Sequence, residues 1–234
     1  GILSLFPQKE ENRAVMMHTL GPIWDANETW LVIGGGMLFG AFPMVYGIAL
    51  SALYIPIMVM VFGVILRAAS FEFHAVAERK RIWSFFFGFG SLLAGVGQGL
   101  AVGGILSGIA IADGHFAGGT FDFLTPLTLL VTVGVLMSYV FVGYAYLIKK
   151  LGRETAPGTY LRILLTGAIT GAALLGATLL LPTKSYLFFT RWTMYPTNIL
   201  LFADVALMGV LSLWLIYLVL KKHNGPALHN LCLG

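Results

Sequence analysis

Asp25, Glu28, Arg67 and Glu72 are ionisable residues set within or at the edge of long apolar stretches. A charged group at the centre of a bilayer-spanning helix costs ~2.5–3.5 kcal/mol on insertion scales, so such residues are retained for pairing or for moving ions and protons. Carboxylate chains are a usual way to carry protons into a membrane protein, and a neighbouring arginine favours the charged form of a carboxylate. Asp25, Glu28 and Glu72 are therefore candidate stations of a proton route, with Arg67 as their charge partner. The structural alternative is a buried ion pair that sets the register of two helices. One pair of residues can serve both ends. Trp24 and Trp30 flank the acids and suit an interfacial aromatic belt. Gln98, in the middle of an apolar stretch, suits an interhelical hydrogen bond. Asp204, about one turn inside the last stretch and near the side opposite the basic clusters, is expected to snorkel outward or to pair with Arg191.

Other chemistry is missing. The five histidines, His18, His74, His115, His223 and His229, fall in loops or at span ends, and the one cysteine, Cys232, follows the last apolar run. No spacing of His and Cys suits a metal, and no histidine lies at the depth where an axial haem ligand is expected. No catalytic side chain and no metal or cofactor ligand is assigned to this chain. If it serves redox chemistry, the redox centres belong to a partner. The run Gly95-Val96-Gly97-Gln98-Gly99 has no preceding strand and reads as close helix packing, not as a nucleotide loop.

The elements that must position these residues are membrane helices. Of 234 residues, 58% are apolar and only 10% charged, and the mean hydropathy is +0.88. Soluble domains carry about a quarter charged residues. The fold expected is all-α, a polytopic transmembrane bundle forming one integral membrane domain over 1–234, with spans near 27–42, 45–73, 82–108, 123–148, 160–181 and 199–220. Pro43 turns the first two spans into an antiparallel hairpin. Asp25 lies 18 residues before that turn and Arg67 24 after it, so at ~1.5 Å per residue they share a depth to within roughly two helical turns. Asp25 is expected to cap the first span, with Glu28 in the acidic position of a capping box. The pairs Gly36/Gly40, Gly99/Gly103 and Gly167/Gly171 predict close backbone approaches.

Charge sets the sides. Lys9 with Arg13, Arg79-Lys80-Arg81, Lys149-Lys150 with Arg153, and Lys221-Lys222 all fall on one side of an alternating topology, which is therefore cytoplasmic. The net charge of +4 is held in these short clusters and does not suggest a nucleic-acid partner. Gly1–Phe6 reads as the tail of a hydrophobic helix without a basic leader or cleavage site, so further residues are expected before Gly1.

The stretch Gly21-Pro22-Ile23-Trp24-Asp25-Ala26-Asn27-Glu28-Thr29-Trp30-Leu31 resembles a signature of subunit II of cytochrome bd-type quinol oxidases. Phe39–Tyr46, Leu66–Phe73 with Arg67 and Glu72, Gln98-Gly99, Gly119–Pro126 and Tyr139–Gly143 extend the resemblance, the later runs toward the cyanide-insensitive branch. The resemblance implies a haem-free subunit in the bacterial inner membrane. It implies a heterodimer with a subunit I that holds haem b and haem d, or haem b alone, and that oxidises quinol and reduces dioxygen. In some relatives a quinone is a structural element of subunit II. Residue by residue, it implies that Asp25 lies in a proton route from the cytoplasm, with Glu72 at an acidic position and Arg67 near it. It places Trp30 beside a proposed oxygen entrance. Family members usually have eight spans, so about six seen here implies that the first and last helices are lacking. The alternative from another class is a small-solute or ion transporter. Pro56 interrupts the second span, but the acidic groups cluster at one edge and not at the midplane where transporters bind.

Overall fold

The computed structural model describes residues 1–5, 10–151, 159–184 and 186–199, together with 202, 203, 205–207, 209, 210, 213, 214 and 217. The chain is a polytopic transmembrane helical bundle. After a 3-10 turn at Ile2–Leu5 come α1 (Glu10–Ala41), α2 (Pro43–Ala52), α3 (Tyr54–Val76), α4 (Lys80–Ser107), α5 (Pro126–Leu151), α6 (Thr159–Lys184) and the short α7 (Tyr186–Thr193). Among the described residues, four helices, α3 to α6, are long and apolar enough to cross a membrane. The 28–41 part of α1 together with α2 makes a fifth if that bent pair is one span. Half of the stretch expected as a sixth span, 199–220, lies outside the described residues.

Glycine is why α3, α4 and α5 lie so close. Gly90, Gly97 and Gly104 recur every seven residues on α4, a spacing that keeps them on one face. A Cβ on Gly97 would stand 2.5 Å from Met60 N and Pro56 O, and one on Gly63 of α3 would stand 2.3 Å from Ala94 N. On the neighbouring face of α4, Gly99 and Gly103 press against Thr132 and Thr128 of α5, with Cβ positions only 2.7 and 2.6 Å from their Cα atoms. Around these approaches Phe87, Leu127, Thr128, Pro56, Ser70 and Ser84 are fully buried. Ser70 and Ser84 are polar, and Ser70 Oγ donates to Leu66 O one turn back, which satisfies it within its own helix.

The start of the bundle differs from expectation. The stretch 45–73 is two helices, not one. Leu53 ends α2 and precedes α3, with φ −114° and ψ 22°. Pro56, three residues on, has no N–H to return to Ala52 O, so the helix restarts with Pro in its first turn, where it is tolerated. The chain also turns by 120° between 28–41 and α2 at Phe42-Pro43, so the connection is a bent arm and not a simple hairpin. The glycine pair at 36 and 40 meets nothing within 4 Å of the added Cβ positions, and neither does Gly171. The pair Gly99/Gly103 makes the close approach described above. Between α4 and α5 a small hairpin pairs Ile111–Ala112 with His115–Phe116. Its turn is Asp113-Gly114, both with positive φ (50° and 76°), the backbone that an Asp-Gly turn favours.

Candidate functional site

The site grows from α1 leaning on the α3–α4 pair. Helix α1 begins at Glu10, so position 25 is interior to it, and the expected cap at Asp25 with a capping box at Glu28 does not form. The physical reason lies upstream. Residues 10–20 are mostly good helix formers, among them Glu10, Glu11, Arg13, Ala14, Met16, Met17 and Leu20, and they propagate the helix through the position where it was expected to start. The side chain of Asp25 lies outside the described residues. Its backbone is in α1, one turn before Glu28.

Glu28 and Arg67 meet. Arg67 Nη2 donates to Glu28 Oε1 at 2.6 Å, a short, charge-assisted hydrogen bond between residues 39 positions apart. The side chains are 20% and 25% exposed. Arg67 is fixed in depth because Gly90 of α4 leaves no room for a side chain there. A Cβ on Gly90 would stand 2.9 Å from Arg67 N. The Nε of Arg67 is buried and has no hydrogen-bond partner among the described residues. The guanidinium thus keeps one donor in reserve beside its bonded carboxylate.

An aromatic chain holds the same contact. Trp24 stacks on Phe71 of α3 (centroids 4.9 Å apart, 12° between planes), and Phe71 meets the fully buried Phe87 of α4 edge-on at 5.0 Å. Trp24 is therefore packed within the protein. Trp30, two turns further, is 71% exposed, as is Val32, and every residue from 29 to 42 is exposed. Glu72 lies at the same end of α3 as Arg67 and is exposed. Five residues of helix turn it about 140° from Arg67, which is why the two do not share a face.

Between α4 and α5, Tyr139 Oη donates to Gln98 Oε1 at 2.6 Å. Tyr139 enters the sequence reading only within the Tyr139–Gly143 run and not as a partner of Gln98, because an aromatic in an apolar span is ordinary. The signal was Gln98, whose amide needs a partner in a neighbouring helix. Phe71 was missed for the same reason as Tyr139. Asp204 lies outside the described residues. Among the described residues no three of His, Cys, Asp and Glu gather as a metal site.

The arrangement is a carboxylate and a guanidinium in a short ion pair between α1 and α3, with one guanidinium N–H left over. The sequence model of the family described as "Cytochrome bd terminal oxidase subunit II" matches residues 1–233. The chain is 30% identical to the "Probable cytochrome oxidase subunit 2" of Haemophilus influenzae over 161 residues, 64% of this chain and 43% of that protein. It is 29% identical to the "Cytochrome bd-I ubiquinol oxidase subunit 2" of Escherichia coli K12 over 150 residues, 59% of this chain and 40% of the relative. With the "Cytochrome bd ubiquinol oxidase subunit 2" of Bacillus subtilis the identity is 34% over 133 residues, 54% of this chain and 39% of the relative. The matches span about two-fifths of the length of these curated relatives.

Proposed function

The chain belongs to the cytochrome bd terminal oxidase subunit II family, and from that premise we propose that it is the haem-free subunit of a quinol:oxygen oxidoreductase in the bacterial inner membrane. It scaffolds a haem-bearing subunit I and lines a route by which protons reach that subunit from the cytoplasm. Haem and quinol chemistry belong to the partner. This chain's residues hold and pass protons and keep the partner's surface in register. The transporter reading is not favoured.

The observation that carries the proton-route reading is the Glu28–Arg67 contact at 2.6 Å. It lies at the end of the bundle where Arg79, Lys80 and Arg81 mark the cytoplasmic side. Arg67 bonds Glu28 directly and so holds its carboxylate at a fixed point on the proposed route. Asp25, one turn away in α1, is the proposed entry station, and the spare Nε–H of Arg67 offers an anchor for a second acceptor or a water. Glu72, exposed on another face, is proposed as an outer collector at the same end.

The test uses the full-length protein in its native complex. Asp25→Asn and Glu28→Gln should each slow quinol-driven oxygen consumption severalfold while haem content and assembly stay normal. Full turnover in correctly assembled variants would sink the route. Loss of assembly with normal turnover per assembled complex would leave the residues a structural role only.

A further inference from the structure

A second site lies beside the first, on the outer side of the Trp24–Phe71 stack. A cavity of about 530 Å³ opens between the first turns of α1 and the corner where α3 ends and α4 begins. Its wall is apolar, with Met17, Phe71 and Ala75, and its polar lining is His18, His74 and Lys80. Met17 and Phe71 face it from different helices, so the cavity is a cleft between elements and not a dimple in one. Among the described side chains, the acids near this corner are Glu72 and Glu78, and both are exposed. Neither lines the cavity. Across 78–81 three cations, Arg79, Lys80 and Arg81, stand against the one anion Glu78.

Three features converge on one ligand class. The corner lies on the side that the basic clusters mark as cytoplasmic, where the leaflet is rich in anionic lipid. The rim supplies a lysine ammonium and two imidazoles, groups that bond phosphate oxygens. The wall supplies apolar surface that a free phosphate ion would not use but a lipid's glycerol and first acyl carbons would. Basic clefts between transmembrane helices at the cytoplasmic surface are suited to lipid headgroups. We propose that this cavity holds the phosphate of an anionic phospholipid of the cytoplasmic leaflet. Lys80 is its counter-charge, His18 and His74 are its hydrogen-bonding groups, and Met17, Phe71 and Ala75 take the glycerol end of the chains. The bound lipid would press on Phe71 and so steady α1 against α3. The inference does not rest on the oxidase reading, since it needs only the orientation of the bundle.

The experiment is lipid retention by the full-length protein in its complex, purified in mild detergent and exchanged into nanodiscs. One set of discs holds phosphatidylcholine alone and the other a mixture with phosphatidylglycerol, and bound lipid is read by native mass spectrometry. Phosphatidylglycerol should be retained selectively. Lys80→Ala should lower its retention about fivefold, the factor for one lysine near a charged surface, and Lys80→Arg should keep it. Millimolar inorganic phosphate should not displace it. Lys80 is exposed, so the variants should melt as the parent does. Equal retention of both lipids, equal retention by Lys80→Ala, displacement by inorganic phosphate, or recovery of a quinone in place of phospholipid would each overturn the proposal.

Discussion

At the scale of single residues, the Glu28–Arg67 pair decides most. An ion pair removed from water stabilises little by itself, but breaking one partner leaves an uncompensated charge. Arg67→Leu is therefore expected to destabilise the complex by about 3 kcal/mol, the low end for a buried pair, because a fifth to a quarter of each side chain remains exposed. The double change Arg67→Leu with Glu28→Leu should recover most of that loss, measured as thermal melting of the purified complex. Equal damage from the single and double changes would mean that Arg67 works through other contacts. The legibility of this pair was partial. Residue type and depth were readable, because a charge in an apolar span is rare. The partner was readable only as Asp25 or Glu28, because the residue that reaches Arg67 depends on how the arm of α1 leans on α3.

At the scale of elements, glycine spacing and glycine use part company. Gly97 sits where a Cβ would meet backbone atoms of α3 at 2.5 Å, which no rotamer can relieve. Gly97→Ala should force α3 and α4 apart and cost about 1–3 kcal/mol, as overpacking does. Gly36→Ala meets nothing and replaces a poor helix former by the best, so the chain's own stability should stay level or rise by up to about 1 kcal/mol. Unfolding in a denaturing detergent series distinguishes the two. A Gly97→Ala chain as stable as the parent would mean that the α3–α4 contact is looser than its distances imply. From sequence the two positions look alike, each a glycine in an apolar helix. Only the neighbour across the gap separates them.

At the scale of the whole molecule, orientation and the exposed arm matter most. The orientation proposed from charge clustering has the α3–α4 corner in the cytoplasm and the Asp113-Gly114 hairpin turn outside. In a Cys232→Ser background, Glu78→Cys should react with a membrane-impermeant maleimide only in inside-out vesicles, and Asp113→Cys only in intact spheroplasts. The reverse pattern would invert the proton route and the lipid site together. Residues 29–41 of α1 are exposed, with Met37 67% and Phe39 62% exposed. A helix exposed this far suits either lipid or a protein surface. If it meets subunit I, as the proposed function has it, Gly36→Leu with Gly40→Leu should lower the amount of large subunit that co-purifies while this chain still inserts. Unchanged recovery of the large subunit would assign that face to lipid.

Sequence by itself determined what depends on solvent and on local chemistry. Apolar length called for membrane helices, and α4, α5 and α6 overlap the stretches read as 82–108, 123–148 and 160–181. Lysine and arginine clusters mark one side of the alternating topology. The rarity of charge in apolar runs picked out Glu28 and Arg67. The tertiary structure decided what depends on two elements meeting. It breaks the second stretch at Leu53, bends the arm at Phe42-Pro43, and carries α1 through Asp25 instead of starting there. It turns Trp24 inward onto Phe71 and gives Gln98 its partner in Tyr139. The physical reason is the same in each case. Hydropathy and charge are properties of one residue in a medium, whereas a face, a register and a partner exist only once a second helix is at contact distance.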